Sequence, residues 1–76
     1  PGWVLTPLVQ KQVDARALAD GVDNAEATRR LLGEKQPSLA FTTPEQLGAL
    51  TVFLCGEAAA NVRGQAWGMD GGWTAQ

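Results

Sequence analysis

A strongly apolar helical run followed by a single isolated extended stretch constrains this chain more than any other feature. Thr43-Pro44-Glu45-Gln46 is a complete helix start. It offers a hydroxyl to cap free N–H groups, a proline at the first helical position where no donor is needed, and a glutamine placed to bond back to the cap. Leu47, Leu50, Val52, Phe53 and Leu54 then make the helix apolar nearly all round, and Gly56 ends it. Glu57 to Asn61 suit one further helical turn. Gly64 leads into an extended stretch from Gln65 to Asp70, which Gly71-Gly72 release. One strand cannot make a sheet, because its N–H and C=O groups need a neighbour. A helix apolar on every side needs cover as well. Both features read as parts of a larger fold.

Two more helices are expected upstream. Thr6-Pro7 is a helix start, and Leu8, Val9, Val13 and Ala17 then form a helical stripe against the more polar Gln10, Lys11, Asp14 and Arg16. Gly21 punctuates it. Asp23 is an N-cap with Glu26 three residues on, and Ala25, Thr28, Leu31 and Leu32 supply a short apolar face before Pro37 stops the helix. The expected order is loop, three helices, strand, with no internal repeat.

Composition removes several function classes. With 45% hydrophobic and 18% charged residues, the 76 positions can bury one small core at most. Cys55 is the sole cysteine and histidine is absent, which excludes a disulfide framework and a Cys/His zinc site; no metal is expected. A lone thiol and the lack of a charged-then-apolar leader give a cytoplasmic expectation. The apolar runs fall far short of the roughly 20 residues that span a bilayer. The net charge is −2, and Lys11, Arg16, Arg29, Arg30, Lys35 and Arg63 are scattered among acids. A nucleic-acid binder would gather such charges on one face. Neither nucleic acid nor membrane is an expected partner.

Two motifs flank the helices. The first is Pro1-Gly2-x-x-x-Thr6, and the second is Met69-Asp70-Gly71-Gly72-Trp73. Alone, Thr6 reads as a helix cap and Asp70-Gly71 as an ordinary turn. Together, at this separation, they resemble the C-terminal portion of a short-chain dehydrogenase/reductase subunit. The stretch Pro1 to Gln12, with Glu34-Lys35-Gln36-Pro37-Ser38 and Asp70-Gly71-Gly72-Trp73, is most similar to the bacterial branch of the family that oxidises (R)-3-hydroxybutyrate. That resemblance runs over essentially the whole chain.

The resemblance implies an α/β fold: the C-terminal part of a doubly wound parallel-sheet (Rossmann-type) subunit, three helices followed by the last strand. Residues 1–6 would be a cofactor turn, 7–37 two substrate-loop helices, 43–56 a helix, 65–70 the last strand and 71–76 a tail. It implies NAD as cofactor, met by Pro1, Gly2, Val4, Thr6 and Leu8. The main-chain groups of Val4 and the hydroxyl of Thr6 would hold the nicotinamide carboxamide. An amide is recognised by a donor and an acceptor at fixed spacing, and a glycine turn lets backbone approach without a Cβ. It further implies that Gln12 bonds the substrate carboxylate, and that Trp3 and Trp73 close around the methyl end of 3-hydroxybutyrate or acetoacetate. Trp73 would reach in from a neighbouring subunit of a homotetramer.

The chemistry itself is missing. Reducing a ketone by hydride needs an acid near the carbonyl oxygen. The family uses a serine, a tyrosine and a lysine four residues beyond the tyrosine. This chain contains no tyrosine, and Ser38, Lys11 and Lys35 do not stand in that pattern. Nor does it contain a glycine-rich strand-turn-helix for a pyrophosphate. No catalytic residue is therefore expected here, and the 76 residues alone should be inactive. The residues that choose NAD over NADP are also outside the sequence. Two other readings stay open: another short-chain dehydrogenase/reductase with a different small substrate, and a small helical partner-binding module. The apolar helix beside a lone strand speaks against the module.

Overall fold

The computed structural model describes all residues from Pro1 to Gln76. Three α-helices follow one another: α1 (Pro7–Asp20), α2 (Asn24–Gly33) and α3 (Pro44–Cys55). Short 3-10 turns occupy Glu57–Ala59 and Trp73–Ala75. No helix is long and apolar enough to cross a membrane.

Local chemistry sets the helix ends. Thr6 caps α1 by accepting from the Val9 N–H at 3.3 Å, ahead of Pro7. Gly21 ends it at φ 66°, a left-handed conformation that favours a residue without Cβ. Asp23 caps α2 by accepting from the Glu26 N–H at 2.9 Å. The Glu26 carboxylate does not return to the cap; it accepts from Arg29 and Arg30 instead. At α3 the reciprocal box closes fully: Thr43 accepts from the Gln46 N–H at 3.0 Å and Gln46 Oε1 accepts from the Thr43 N–H at 2.9 Å.

Helices α1 and α2 fold back on each other as a hairpin. Val9, Val13, Ala17, Ala27 and Leu31 form its buried cluster, and Trp3, Val22 and Phe41 pack around it. Leu32 is buried too. Ala27 faces the core in place of Ala25 and Thr28, while Leu8 is 69% exposed although it begins the expected stripe. Ion pairs decorate the seam: Arg16 reaches Asp20 at 3.0 Å and Glu34 at 2.7 Å, and Arg30 reaches Asp20 at 3.1 Å. These pairs lie in solvent, so they orient the hairpin more than they stabilise it.

The expected last strand, 65–70, is not formed. No sheet exists in these residues; the only β pairing is one parallel bridge between Val4 and Thr42. The reason is the one that made the strand informative: a lone strand has no partner to complete its ladder. Gln65 to Gly68 stay exposed, and Met69 alone is tied down, its C=O accepting from the Gly2 N–H at 3.2 Å. Helix α3 buries no residue and, among the helical elements, packs only on the Glu57–Ala59 turn. Its largest aromatic neighbour is Trp67, whose ring centroid lies 5.8 Å from that of Phe53. The radius of gyration is 15.3 Å, against about 11 Å for a compact domain of this length.

Candidate functional site

Three separate loops meet beside the hairpin: residues 1–6, residues 36–42 and residues 69–76. Their backbones are cross-bonded. Besides the Gly2–Met69 bond, the Thr42 N–H donates to Trp3 O at 2.9 Å and the Ser38 N–H donates to Gly71 O at 2.9 Å. Gln76 Nε2 donates to Lys35 O at 2.9 Å. The two flanking motifs of the sequence are therefore neighbours in space, across a separation of more than sixty residues.

Gln36 sits at the centre of this meeting. It is fully buried, its Oε1 accepting from the Trp3 N–H and its Nε2 donating to Ala40 O at 2.8 Å. The turn that carries it holds Leu39 at φ 54°, a left-handed conformation that costs a residue with a Cβ about 1–2 kcal/mol. Such a turn persists only where surrounding bonds over-determine it. Gln36 lies in the Glu34–Ser38 stretch that carries the resemblance. Nothing in the sequence assigned it a role, because a glutamine after a helix is normally a solvated side chain and its partner lies 33 positions away.

In the first turn, Val4 pairs with Thr42 through the flanking carbonyl of Trp3. In a parallel pairing the bridging residue's own N–H and C=O point away from that partner. Both main-chain groups of Val4 are without a hydrogen bond in this chain. The Thr6 hydroxyl accepts the helix cap through its oxygen and still has a proton to donate. A donor, an acceptor and a hydroxyl thus stand within three residues, as a primary carboxamide requires. These residues fit the nicotinamide end of a dinucleotide.

The Trp3 and Trp73 rings lie side by side in the same chain, with centroids 6.4 Å apart and planes tilted by 39°. Trp73 therefore packs on Trp3 and not on α3. The Trp3 Nε1–H is buried without an acceptor. Gly71 and Gly72, at φ 64° and 92°, make the turn that delivers Trp73. Asp70 braces that turn: its carboxylate accepts from the Gly72 N–H at 3.0 Å, the Thr74 N–H at 3.2 Å and the Thr74 hydroxyl at 2.8 Å. The Thr74 hydroxyl first, and these backbone donors after it, hold the Asp70 carboxyl below the usual carboxylate range. Its role is structural.

The remaining candidates are less gathered. Gln12 is exposed on α1, next to the buried Val13, and Leu8 and Pro1 are exposed as well. One open surface cleft of about 400 Å³ lies beyond the end of α3, and another of about 320 Å³ opens at the meeting of the loops, between Ser38, Thr42, Met69 and Gly71. Neither is lined by Trp3, Thr6, Gln12 or Trp73. Of the residues named from the motifs, Trp3 and Trp73 are in contact, while Gln12 stands apart on the exposed side of α1. Ser38 is engaged with Ala40, and tyrosine is absent.

No family model matches the chain. Over all 76 residues it is 64% identical to the D-beta-hydroxybutyrate dehydrogenase of Cupriavidus necator and 42% identical to that of Rhizobium meliloti. The chain matches a segment of a short-chain dehydrogenase/reductase. It spans 30% of the length of each of those two relatives. A further relative, dehydrogenase/reductase SDR family member 6 of Rattus norvegicus, is 34% identical over 74 residues, 97% of this chain and 28% of that protein.

Proposed function

We propose that the chain is the C-terminal part of an NAD-dependent dehydrogenase that interconverts (R)-3-hydroxybutyrate and acetoacetate. The observation that carries this reading is the 64% identity along every residue to a dehydrogenase of that name. The geometry supports it at the cofactor turn, where Val4 keeps a free donor and a free acceptor beside the Thr6 hydroxyl. NAD, when bound, supplies the acceptor for the hydride leaving C3 of the hydroxy acid.

This chain's residues bind and orient. Val4 and Thr6 hold the carboxamide and thereby fix which face of the ring meets the substrate. Pro1, Gly2 and Leu8 flank that turn. Gln12 donates to the substrate carboxylate, and Trp3 beside Trp73 gives an apolar wall that excludes water from the methyl end. The proton on the substrate oxygen is handled by groups outside these residues. In the parent subunit, α3 and residues 65–70 take their places as the last helix and strand of a Rossmann-type sheet, in a cytoplasmic homotetramer.

The test is turnover by the full-length parent. Reduction of NAD with (R)-3-hydroxybutyrate, and much slower reduction with the (S) enantiomer or other short hydroxy acids, is the expected result. A full-length protein that oxidises none of them, or prefers a different small alcohol, replaces this substrate. The neighbour role of Trp73 is tested by mixing Trp73→Ala subunits with catalytically dead subunits. Substrate binding at the live sites should follow residue 73 of the adjacent chain, and sites that follow only their own residue 73 restrict the indole to the own-chain pairing with Trp3.

A further inference from the structure

The Trp3 carbonyl and the Val4 N–H belong to one planar peptide and point in opposite directions. Whatever fixes the first aims the second. The Thr42 N–H holds that carbonyl at 2.9 Å. The preceding peptide plane is held by its own N–H, that of Trp3, which donates to Gln36 Oε1. The two planes on either side of Trp3 are thus pinned from one side, and Val4 presents its main-chain groups on the other. We infer that Gln36 is a positioning residue for the cofactor turn. Its buried carboxamide holds the peptide before Trp3, as Thr42 holds the one after it, so that the Val4 N–H faces away from both and is offered to a bound nicotinamide. The inference rests on the proposed reading of residues 1–6 as the nicotinamide side of the site.

The surroundings show that the carboxamide is built in. It needs both of its functions at once, Oε1 as acceptor from Trp3 and Nε2 as donor to Ala40 O at 2.8 Å. Glycines line it on two sides. A Cβ added to Gly71 would come within 2.8 Å of Nε2, at a position already requiring φ 64°. A Cβ added to Gly2 would come within 2.9 Å of Asp70 O and meet the Gln36 carboxamide as well. Gly2 of the first motif and Gly71 of the second therefore leave room for the same glutamine side chain, Gly71 for the Ser38 hydroxyl as well. Residues before, between and after the helices are tied through it.

A glutamate at this position separates positioning from mere support. Ionised, it keeps the acceptor for Trp3 and loses the donor to Ala40. Protonated, it has one oxygen that accepts and one O–H that donates, in the glutamine shape. Burial raises the pKa of such a carboxyl, so its titration falls in a range accessible to measurement, between about pH 5 and 9. The experiment uses the full-length parent, with Gln36→Glu and Gln36→Met, and reads NADH affinity by fluorescence and amide exchange of Trp3 and Val4. Gln36→Met should weaken NADH binding by about tenfold at every pH, the effect of one buried hydrogen bond, and speed Trp3 exchange by a similar factor. Gln36→Glu should lie between Gln36→Met and the native protein at high pH, where only the bond to Ala40 O is lost, and recover toward the native protein as pH falls. Native NADH affinity and native Trp3 and Val4 exchange in both variants, with only a lowered melting temperature, would overturn the inference. Failure of the native full-length protein to bind NADH would instead remove the functional reading, and the exchange data would then still report whether Gln36 holds the turn.

Discussion

Helix α3 is more apolar than α1 or α2, yet it buries nothing, while the α1–α2 hairpin encloses its own core. The difference lies in where the partners are. Each residue on the inner face of α1 meets α2 within one short turn of chain, so the hairpin closes with local contacts and little loop entropy. The apolar faces of α3 and the stretch after it find no such partner, and Val52 remains 73% exposed. Apolar composition sets the demand for burial, and only neighbours meet it. The two regions therefore differ in independence: the hairpin is a local unit, and α3 with residues 65–70 is an element of something larger.

The sharpest way to break this comparison is truncation of one side chain in each region. Leu31→Ala should destabilise the hairpin by about 2–5 kcal/mol in both the 76-residue chain and the full-length parent, because its partners Val9, Val13, Ala17 and Ala27 travel with it. Phe53→Ala should have little effect on the 76-residue chain and cost about 3–5 kcal/mol in the parent, where α3 is covered. Denaturant melts of the four proteins check both. Equal and small losses for Phe53→Ala in the two contexts would remove the demand for cover.

Next in size is the exposed Gln12. In the parent, Gln12→Ala should raise the Michaelis constant for the hydroxy acid more than that for NAD. A hydrogen bond to a carboxylate is worth about 1.5–3 kcal/mol, or roughly ten- to a hundredfold. An unchanged constant makes Gln12 a solvated residue of the hairpin's polar face. Smaller again is Thr6→Ala, which removes the α1 cap at a cost of about 1 kcal/mol. It should also weaken NAD binding, and a stability loss with native NAD affinity would restrict Thr6 to capping.

The parts of this molecule that local chemistry decides were legible in its sequence. Thr6-Pro7, Asp23 and Thr43 to Gln46 mark helix starts because each cap closes over three residues. The strand expected at 65–70 is not formed for the opposite reason: none of these 76 residues lies beside it to complete a ladder. The face of α2 slipped to Ala27 because neighbouring small residues carry little periodic signal. At the site, the motifs named Val4, Thr6, Trp3 and Trp73, and the Trp3–Trp73 pair does come together. Gln36 belongs to a matching stretch, but its role was not legible, because only folding brings residues 3, 36 and 71 to one place.

The smallest effect is acid sensitivity. Arg16 first, then Arg30, hold the Asp20 carboxyl below its ordinary range, and the Thr74 hydroxyl does the same for Asp70. A depressed carboxyl binds its proton less readily when folded, so its contribution is present at neutral pH and lost as pH falls through the folded value. Asp20 is exposed and Asp70 only half-buried, so melts taken at decreasing acidic pH should show a shallow decline. Asp20→Asn should flatten the part belonging to the hairpin. A slope unchanged in Asp20→Asn, or stability that rises as pH falls through the carboxylate range, would contradict these ion pairs.

Amide hydrogen exchange on the 76-residue chain beside the full-length parent tests the central contrast most directly. Amides of Val13, Ala17, Ala27 and Leu31 should be protected in both, whereas those of α3 and residues 65–70 should be protected in the parent alone. Protection of α3 in the short chain equal to that of the α1–α2 hairpin would contradict the account.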